Sequence, residues 1–171
     1  MPYEQQKKEI ETIRERNIKV KLSDADCERL MRKCGAYEIT VGELIASFVG
    51  DLVGGTYSNG SDERDLIEGW FGRCRFGTGS DPTLLSHLLY YGYDPEEYLK
   101  ILDIIDSYRR ELAEETDREE RRYLTEEILS LEEDLSDMRT YWEIKKAPDM
   151  EEEIKHMKEW VKEKENLMVN R

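Results

Sequence analysis

Six residues near the start of the chain alternate polar and apolar side chains: Asn17-Ile18-Lys19-Val20-Lys21-Leu22. Successive side chains of a β-strand point to opposite faces, so the pattern predicts a strand that buries Ile18, Val20 and Leu22. The backbone donors and acceptors of such a short strand need a partner, and the rest of the sequence offers no obvious second strand. We therefore expect this strand to pair with the same strand of a second copy, which predicts a homodimer.

Two short helices are predicted directly after the strand. The first runs from Asp24 to Cys34, with apolar residues at helical spacing, and Gly35 ends it. The second begins with a capping box, in which Thr40 stands three residues before Glu43, and its apolar stripe continues to Gly54. The N-terminal third of the chain is thus expected to follow the order strand, helix, helix.

This order, across residues 16–54, resembles the ribbon-helix-helix family, whose dimers place a two-stranded antiparallel ribbon in the major groove of DNA. The resemblance rests on Ile18 to Leu22, Asp24 to Cys34 and Ile39 to Ile45. It implies contacts to base edges or phosphates from Asn17, Lys19 and Lys21. It also implies a phosphate held by Thr40, Val41 and Gly42. The alternative is that Lys19 and Lys21 form the solvated face of an edge strand, where lysine discourages aggregation.

Two further blocks, Val20 to Leu30 and Gly50 to Arg64, are similar to small proteins of phages and mobile elements of gut Firmicutes. These proteins include an anti-CRISPR family that inhibits Cas9. The similarity implies a non-catalytic inhibitor in the bacterial cytoplasm that binds an effector such as Cas9, alone or together with double-stranded DNA.

Residues 56–171 are expected to form an acidic helical domain after an N-terminal module of residues 1–55. Short helices are predicted over 61–92, the first of them capped by Ser61. A heptad seam is predicted over 94–146, with Asp94-Pro95 as its helix start, and a terminal helix over 149–168. Thr116 and Glu119 form a second capping box, which favours an antiparallel hairpin that turns near 116–118. One unbroken helix of about 50 residues is the rival, because no glycine or proline forces a turn. The expected fold class is mainly α, with a single N-terminal strand.

The chain is acidic, with 40 Asp and Glu residues against 26 Lys and Arg residues and a net charge of -14, which excludes a protein that coats nucleic acid along its whole surface. Residues 94–144 hold 18 acidic and 7 basic side chains. Helices with such an outer face could bind a basic groove of a nucleic-acid-binding protein. The candidate contacts are Asp103, Asp106, Glu111, Glu114, Glu115, Glu126, Glu127, Glu133 and Asp134. The alternative is a solvated face that keeps the protein soluble.

No sequence motif predicts catalysis, and we expect no catalytic residue, metal or cofactor. The chain lacks a phosphate-binding loop, a nucleophile elbow and a zinc-protease signature. The spacing of Cys27, Cys34, Cys74 and His87 matches no established zinc module. An odd number of cysteines favours a reducing compartment, and no apolar run approaches the ~18 residues of a membrane span. These features favour a soluble cytoplasmic protein.

Overall fold

The computed structural model describes residues 2–74, 81–144 and 147–169. The described residues contain eight helices, which confirms the expected mainly helical fold. They are α1 (Pro2–Glu11), α2 (Asp24–Ala36), α3 (Val41–Val53), α4 (Ser61–Arg73), α5 (Leu84–Tyr90), α6 (Pro95–Glu114), α7 (Arg118–Met138) and α8 (Met150–Met168). The chain divides into two compact units, Met1–Thr78 and Gly79–Arg171.

The expected strand is not confirmed. Residues 13–23 have no regular secondary structure, and the described part of the chain contains no sheet. The segment is neither helical nor paired with another described stretch of its own chain. Because a ladder of hydrogen bonds needs two strands and one chain supplies only one, the two-copy ribbon stays a prediction. The side chains of Ile18, Val20 and Leu22 are 61%, 63% and 52% exposed.

The turn between α2 and α3 differs from the predicted glycine stop at Gly35. Helix α2 continues to Ala36, and Glu38 takes the left-handed conformation with φ of 56°. The backbone N–H of Ile39 donates to the carbonyl of Cys34 at 3.2 Å, and that of Glu38 donates to Gly35 at 3.2 Å. This is the Schellman arrangement, in which glycine is usual because it has no Cβ to clash. Glu38 therefore carries the strain that a glycine would avoid.

Two helices of the first unit differ from the sequence prediction: α1 is absent from it, and α4 has a different N-terminal cap. Helix α1 was not predicted, because its side chains form no apolar stripe. The hydroxyl of Thr56 donates to the carboxylate of Glu9 on α1 at 2.5 Å. Ser61 was expected to cap α4, but it is the first helical residue, and Gly60 precedes it without a side-chain cap.

The first unit extends beyond the expected boundary at residue 55, because α4 packs against α3. The rings of Phe48 and Trp70 meet edge to face with centroids 5.5 Å apart. Among the described side chains of this unit, only Cys34 and Asp51 are buried. Most large apolar side chains of the first unit thus remain accessible in a single chain.

The second unit has a continuous apolar core. Its buried members are Leu84, Leu85, Leu88, Tyr98, Ile105, Ile128, Leu135, Met138 and Met157. Helices α6 and α7 are joined by three residues and form an antiparallel hairpin, since Arg121 early in α7 binds Leu112 near the end of α6 and the later Glu132 pairs with the earlier Arg109 at 2.5 Å. Helix α8 joins this core, and Lys164 on α8 pairs with Glu96 on α6 at 2.6 Å.

Aspartate side chains set the helix starts of the hairpin. Asp94 accepts from the N–H of Glu96 at 2.9 Å, and Pro95 follows it as predicted. At the start of α7 the cap is Asp117, which accepts from the N–H groups of Glu119 and Glu120. The expected Thr116 capping box is therefore wrong by one residue. Helix α7 ends at Met138, short of the predicted limit of 146, and residues 145 and 146 lie outside the described residues.

Candidate interaction surface

The predicted partner contacts lie on one structural element, which we call the acidic hairpin: α6, α7 and the turn 115–117 between them. Most of its apolar residues pack into or against the core of the unit, so most polar residues between them face outward. Glu115 and Glu127 are half-buried and the other seven predicted contacts are exposed. The hairpin places eight of the nine on two adjacent helices and Glu115 in the turn between them.

Few of these carboxylates are neutralised within the chain. Asp106 lies 3.8 Å from Arg109, and Glu126 lies 3.5 Å from Arg122. Glu115 instead accepts from the N–H groups of Thr116 and Asp117 in the turn. The remaining six form no ion pair with any other described residue: Asp103, Glu111, Glu114, Glu127, Glu133 and Asp134.

Tyr123 reports the negative potential of this surface. Its side chain is half exposed on α7, and the carboxylate of Glu127 raises the pKa of its hydroxyl, together with Tyr108, partial burial, Glu120 and Glu111. Ionising the phenol would add a negative charge where carboxylates of both helices already lie. Tyr123 is not among the residues predicted from the sequence, although its spacing of three and four residues from Glu120 and Glu127 places all three on one helix face.

Two basic residues of the hairpin, Arg109 and Arg121, form contacts that join its two helices. Arg109 bridges the two helices through Glu132. The Nη1 of Arg121 donates to the carbonyls of Leu112 and Glu115 at 2.7 and 2.8 Å, which satisfies the end of α6. These positive charges stabilise the hairpin, and the outward surface can attract cationic groups.

The predicted DNA contacts occupy two separate places in the first unit. Asn17, Lys19 and Lys21 are exposed in the segment 13–23, which has no regular structure. Thr40 caps α3, with Val41 and Gly42 in its first turn. No described hydrogen bond or ion pair connects the first group to the second.

A carboxylate already occupies the position beside the α3 N-terminus where a phosphate was predicted. The Oε2 of Glu43 accepts from the backbone N–H of Thr40 at 2.7 Å and from its hydroxyl at 2.8 Å. These two hydrogen bonds hold the pKa of Glu43 below its ordinary value. A phosphate approaching Thr40, Val41 and Gly42 would therefore meet a negative charge.

The loop between α3 and α4 is organised around Asp51, a residue that the sequence analysis did not identify. Its carboxylate is buried and accepts from the backbone N–H of Asn59 at 2.6 Å, the side-chain amide of Asn59 at 2.9 Å and the hydroxyl of Ser58 at 3.0 Å. The Asn59 amide, its backbone N–H and the Ser58 hydroxyl lower the pKa of Asp51 against the opposing effect of burial. Asp51 thus fixes the loop that leads into α4.

The four residues weighed for a zinc site, Cys27, Cys34, Cys74 and His87, differ in their surroundings. Cys34 is buried, and Cys27 and Cys74 are exposed free thiols. The Nε2 of His87 lies 3.1 Å from the carbonyl oxygen of Met138 inside the second unit. Within the described residues no three His, Cys, Asp or Glu side chains gather into a metal-binding group, and no helix has the length and apolar character of a membrane span.

The chain matches no protein-family model, no curated protein and no solved structure.

Proposed function

We propose that this protein is a non-catalytic interaction protein that inhibits a nucleic-acid-processing effector, such as Cas9, by occupying a basic groove with the acidic hairpin. The observation that carries the proposal is the set of six carboxylates on α6 and α7 that have no cationic partner among the described residues. Their charge remains available to an incoming partner. A basic groove would be drawn to this surface from a distance and would gain ion pairs on contact.

The density of this charge can be compared with that of DNA. Helix α6 has 20 residues, so it is ~30 Å long. A net charge of -10 over residues 95–138 corresponds to one charge per ~3 Å of hairpin, against one per ~1.7 Å in duplex DNA. The hairpin is about half as dense in charge as the duplex. It can therefore compete for a groove that binds nucleic acid, with an affinity that falls as salt rises.

Neutralising the free carboxylates tests this proposal. The variant Glu111→Gln, Glu114→Gln, Glu127→Gln, Glu133→Gln, which we call the hairpin variant, keeps side-chain size and removes four charges. We expect it to inhibit DNA cleavage by Cas9 at least ten-fold less than the wild type at about 0.15 M salt. The matched control removes four exposed charges from α8 through Glu151→Gln, Glu159→Gln, Glu163→Gln, Glu165→Gln and should inhibit almost normally. Equal inhibition by both variants would show that docking does not use the hairpin.

A ribbon-helix-helix transcriptional regulator is the second candidate. The observation that favours it is the alternating segment 17–22, which exposes both its lysines and its apolar residues in a single chain. A ribbon shared by two copies would bury Ile18, Val20 and Leu22 and leave Lys19 and Lys21 free for DNA. The homodimer is part of both proposals.

A gel shift separates the two candidates. A regulator should bind a defined short duplex at ~10 to 100 nM and lose it on Lys19→Glu with Lys21→Glu. Glu43→Gln should strengthen that binding if a phosphate lies at the start of α3, because the carboxylate there would no longer repel it. An inhibitor that works through the acidic hairpin should keep its effect on Cas9 in all three substitutions.

A further inference from the structure

Three tyrosines of the second unit form an exposed cluster, which we call the tyrosine patch: Tyr90, Tyr91 and Tyr141. Their side chains are 83%, 49% and 75% exposed. The rings of Tyr90 and Tyr91 meet edge to face with centroids 5.2 Å apart, and those of Tyr91 and Tyr141 stack with centroids 6.2 Å apart and planes 27° apart. Three contiguous aromatic rings at the surface exceed what scattered single exposure produces.

The backbone of Tyr141 is strained. Its φ of 69° lies in the left-handed region, where a bulky side chain clashes with its own backbone. A glycine would adopt this conformation at no steric cost. Because Tyr141 is among the more exposed residues, core packing does not explain why a tyrosine stands there, and strain of this kind is concentrated at functional sites.

The patch rests on a fixed base. The ring of His87 lies 4.8 Å from that of Tyr91, and its Nε2 is 3.1 Å from the carbonyl oxygen of Met138. Trp142, next to Tyr141, donates its indole N–H to the carbonyl of Pro82 at 2.7 Å. The rings are therefore held in place before a partner arrives, which reduces the entropy lost on binding.

We propose that the tyrosine patch binds arginine side chains of a basic protein partner. This inference rests on the proposed function in one respect, the positive charge of the partner, and it adds a second contact region. Residues 79–171 carry 26 acidic and 14 basic side chains, so the net charge of the second unit as a whole attracts cations and repels nucleic acid. Tyrosine rings attract the planar guanidinium group through both its charge and its stacking.

The patch is separate from the negative potential around Tyr123. Tyr123 lies near the start of α7, and Tyr141 follows the end of that helix at Met138. The 15 residue steps from Tyr123 to Met138 span ~22 Å of helix. One partner surface could contact both regions, with carboxylates supplying long-range attraction and the rings supplying a short-range preference for arginine.

Tyr141→Gly in the full chain tests the proposal, because it removes the ring and relieves the strain together. The probe is a fluorescent peptide of six Arg-Gly repeats, measured by anisotropy at about 0.15 M salt. We expect about five-fold weaker binding and a higher Tm. Glu38→Gly is the matched control, since it relieves the same strain in the first unit and should raise Tm without changing affinity. A peptide of six Lys-Gly repeats should lose less affinity on Tyr141→Gly.

The same titration distinguishes failure of this inference from failure of the proposed function. Full affinity of Tyr141→Gly, with weak binding by the hairpin variant, would overturn the tyrosine patch and leave the proposed function standing. Weak binding by Tyr141→Gly, with full affinity of the hairpin variant, would overturn the proposed function and leave the tyrosine patch standing. Two other results would also overturn the tyrosine patch: loss of oligo-dT binding on Tyr141→Gly would identify a nucleic acid as the occupant, and loss of self-association would identify a second copy.

Discussion

The two units of this protein differ in how far they bury their apolar side chains. The second unit buries leucines, isoleucines, methionines and Tyr98 in one core between four helices. The first unit buries only Cys34 and Asp51 among its described side chains, while Ile18, Val20 and Leu22 remain accessible. Because burial of apolar surface is the main stabilising contribution to folding, the second unit is expected to be stable by itself and the first to gain stability from a partner.

Truncation of the second core should have the largest effect. Leu88 is fully buried, so Leu88→Ala should lower the free energy of unfolding by ~2 to 5 kcal/mol through lost burial and a cavity. Its neighbour Leu89 is 45% exposed, and Leu89→Ala should cost less than ~1 kcal/mol. Denaturant unfolding of the two variants measures the difference. Similar losses would mean that the core is not where the structure places it.

A charge at the predicted ribbon should separate two copies without unfolding the second unit. Val20→Asp would place a carboxylate in the apolar half of the shared ribbon, where it would lose its water. We expect a dimer of the wild type and a monomer of Val20→Asp in sedimentation at micromolar concentration. Lys19→Asp introduces the same side chain on the other face and should leave the dimer intact. A monomeric wild type would contradict the shared ribbon and the expectation that the first unit gains stability from a second copy.

The outcome for residues 17–22 shows what sequence could and could not predict. Helical periodicity and caps such as Thr40 with Glu43 and Asp94 with Pro95 are local, so the sequence located α3 and α6 closely. A strand depends on a partner, whether elsewhere in the chain or in another copy, and alternation alone cannot specify that partner. Helix α1 has no apolar stripe to predict it, and Tyr141 adopts a conformation that no sequence pattern favours.

The sequence predicted the location of the acidic surface but not the contacts of its individual side chains. Composition located the acidic segment, and the heptad seam indicated that its carboxylates face outward. The ion pairs that neutralise Asp106 and Glu126 depend on side-chain geometry and cannot be read from composition. The same holds for the carboxylates that surround Tyr123. The role of Asp51 was not predictable, because its three hydrogen bonds come from loop residues seven and eight positions away, and only the fold determines the path of that loop.

Acid should weaken the first unit through Asp51. Its pKa is lowered in the folded state, so the carboxylate contributes stability above its unfolded pKa of ~3.9 and loses it as pH falls through the lower folded value. Asp51→Asn should destabilise this unit at neutral pH, and the gap from the wild type should narrow below about pH 4. The indole N–H signal of Trp70, the one tryptophan of residues 1–78, reports this unit by NMR. Asp65→Asn on α4 is the matched control, because no hydrogen bond or ion pair to its carboxylate is described, and it should change the stability at neutral pH by less than ~0.5 kcal/mol.

The smallest effect compares one helix cap in each unit. Thr40 accepts from the N–H of Glu43 at 3.1 Å, so Thr40→Ala should cost ~1 kcal/mol of stability in the first unit. Thr116 was expected to cap α7 in the same way, but Asp117 does so. Thr116→Ala should therefore change the stability of the second unit by less than ~0.5 kcal/mol, whereas Asp117→Ala should cost ~1 kcal/mol. Thermal unfolding of the three variants measures these losses of stability. A loss on Thr116→Ala as large as that on Thr40→Ala would place the start of α7 where the capping-box pattern predicts it.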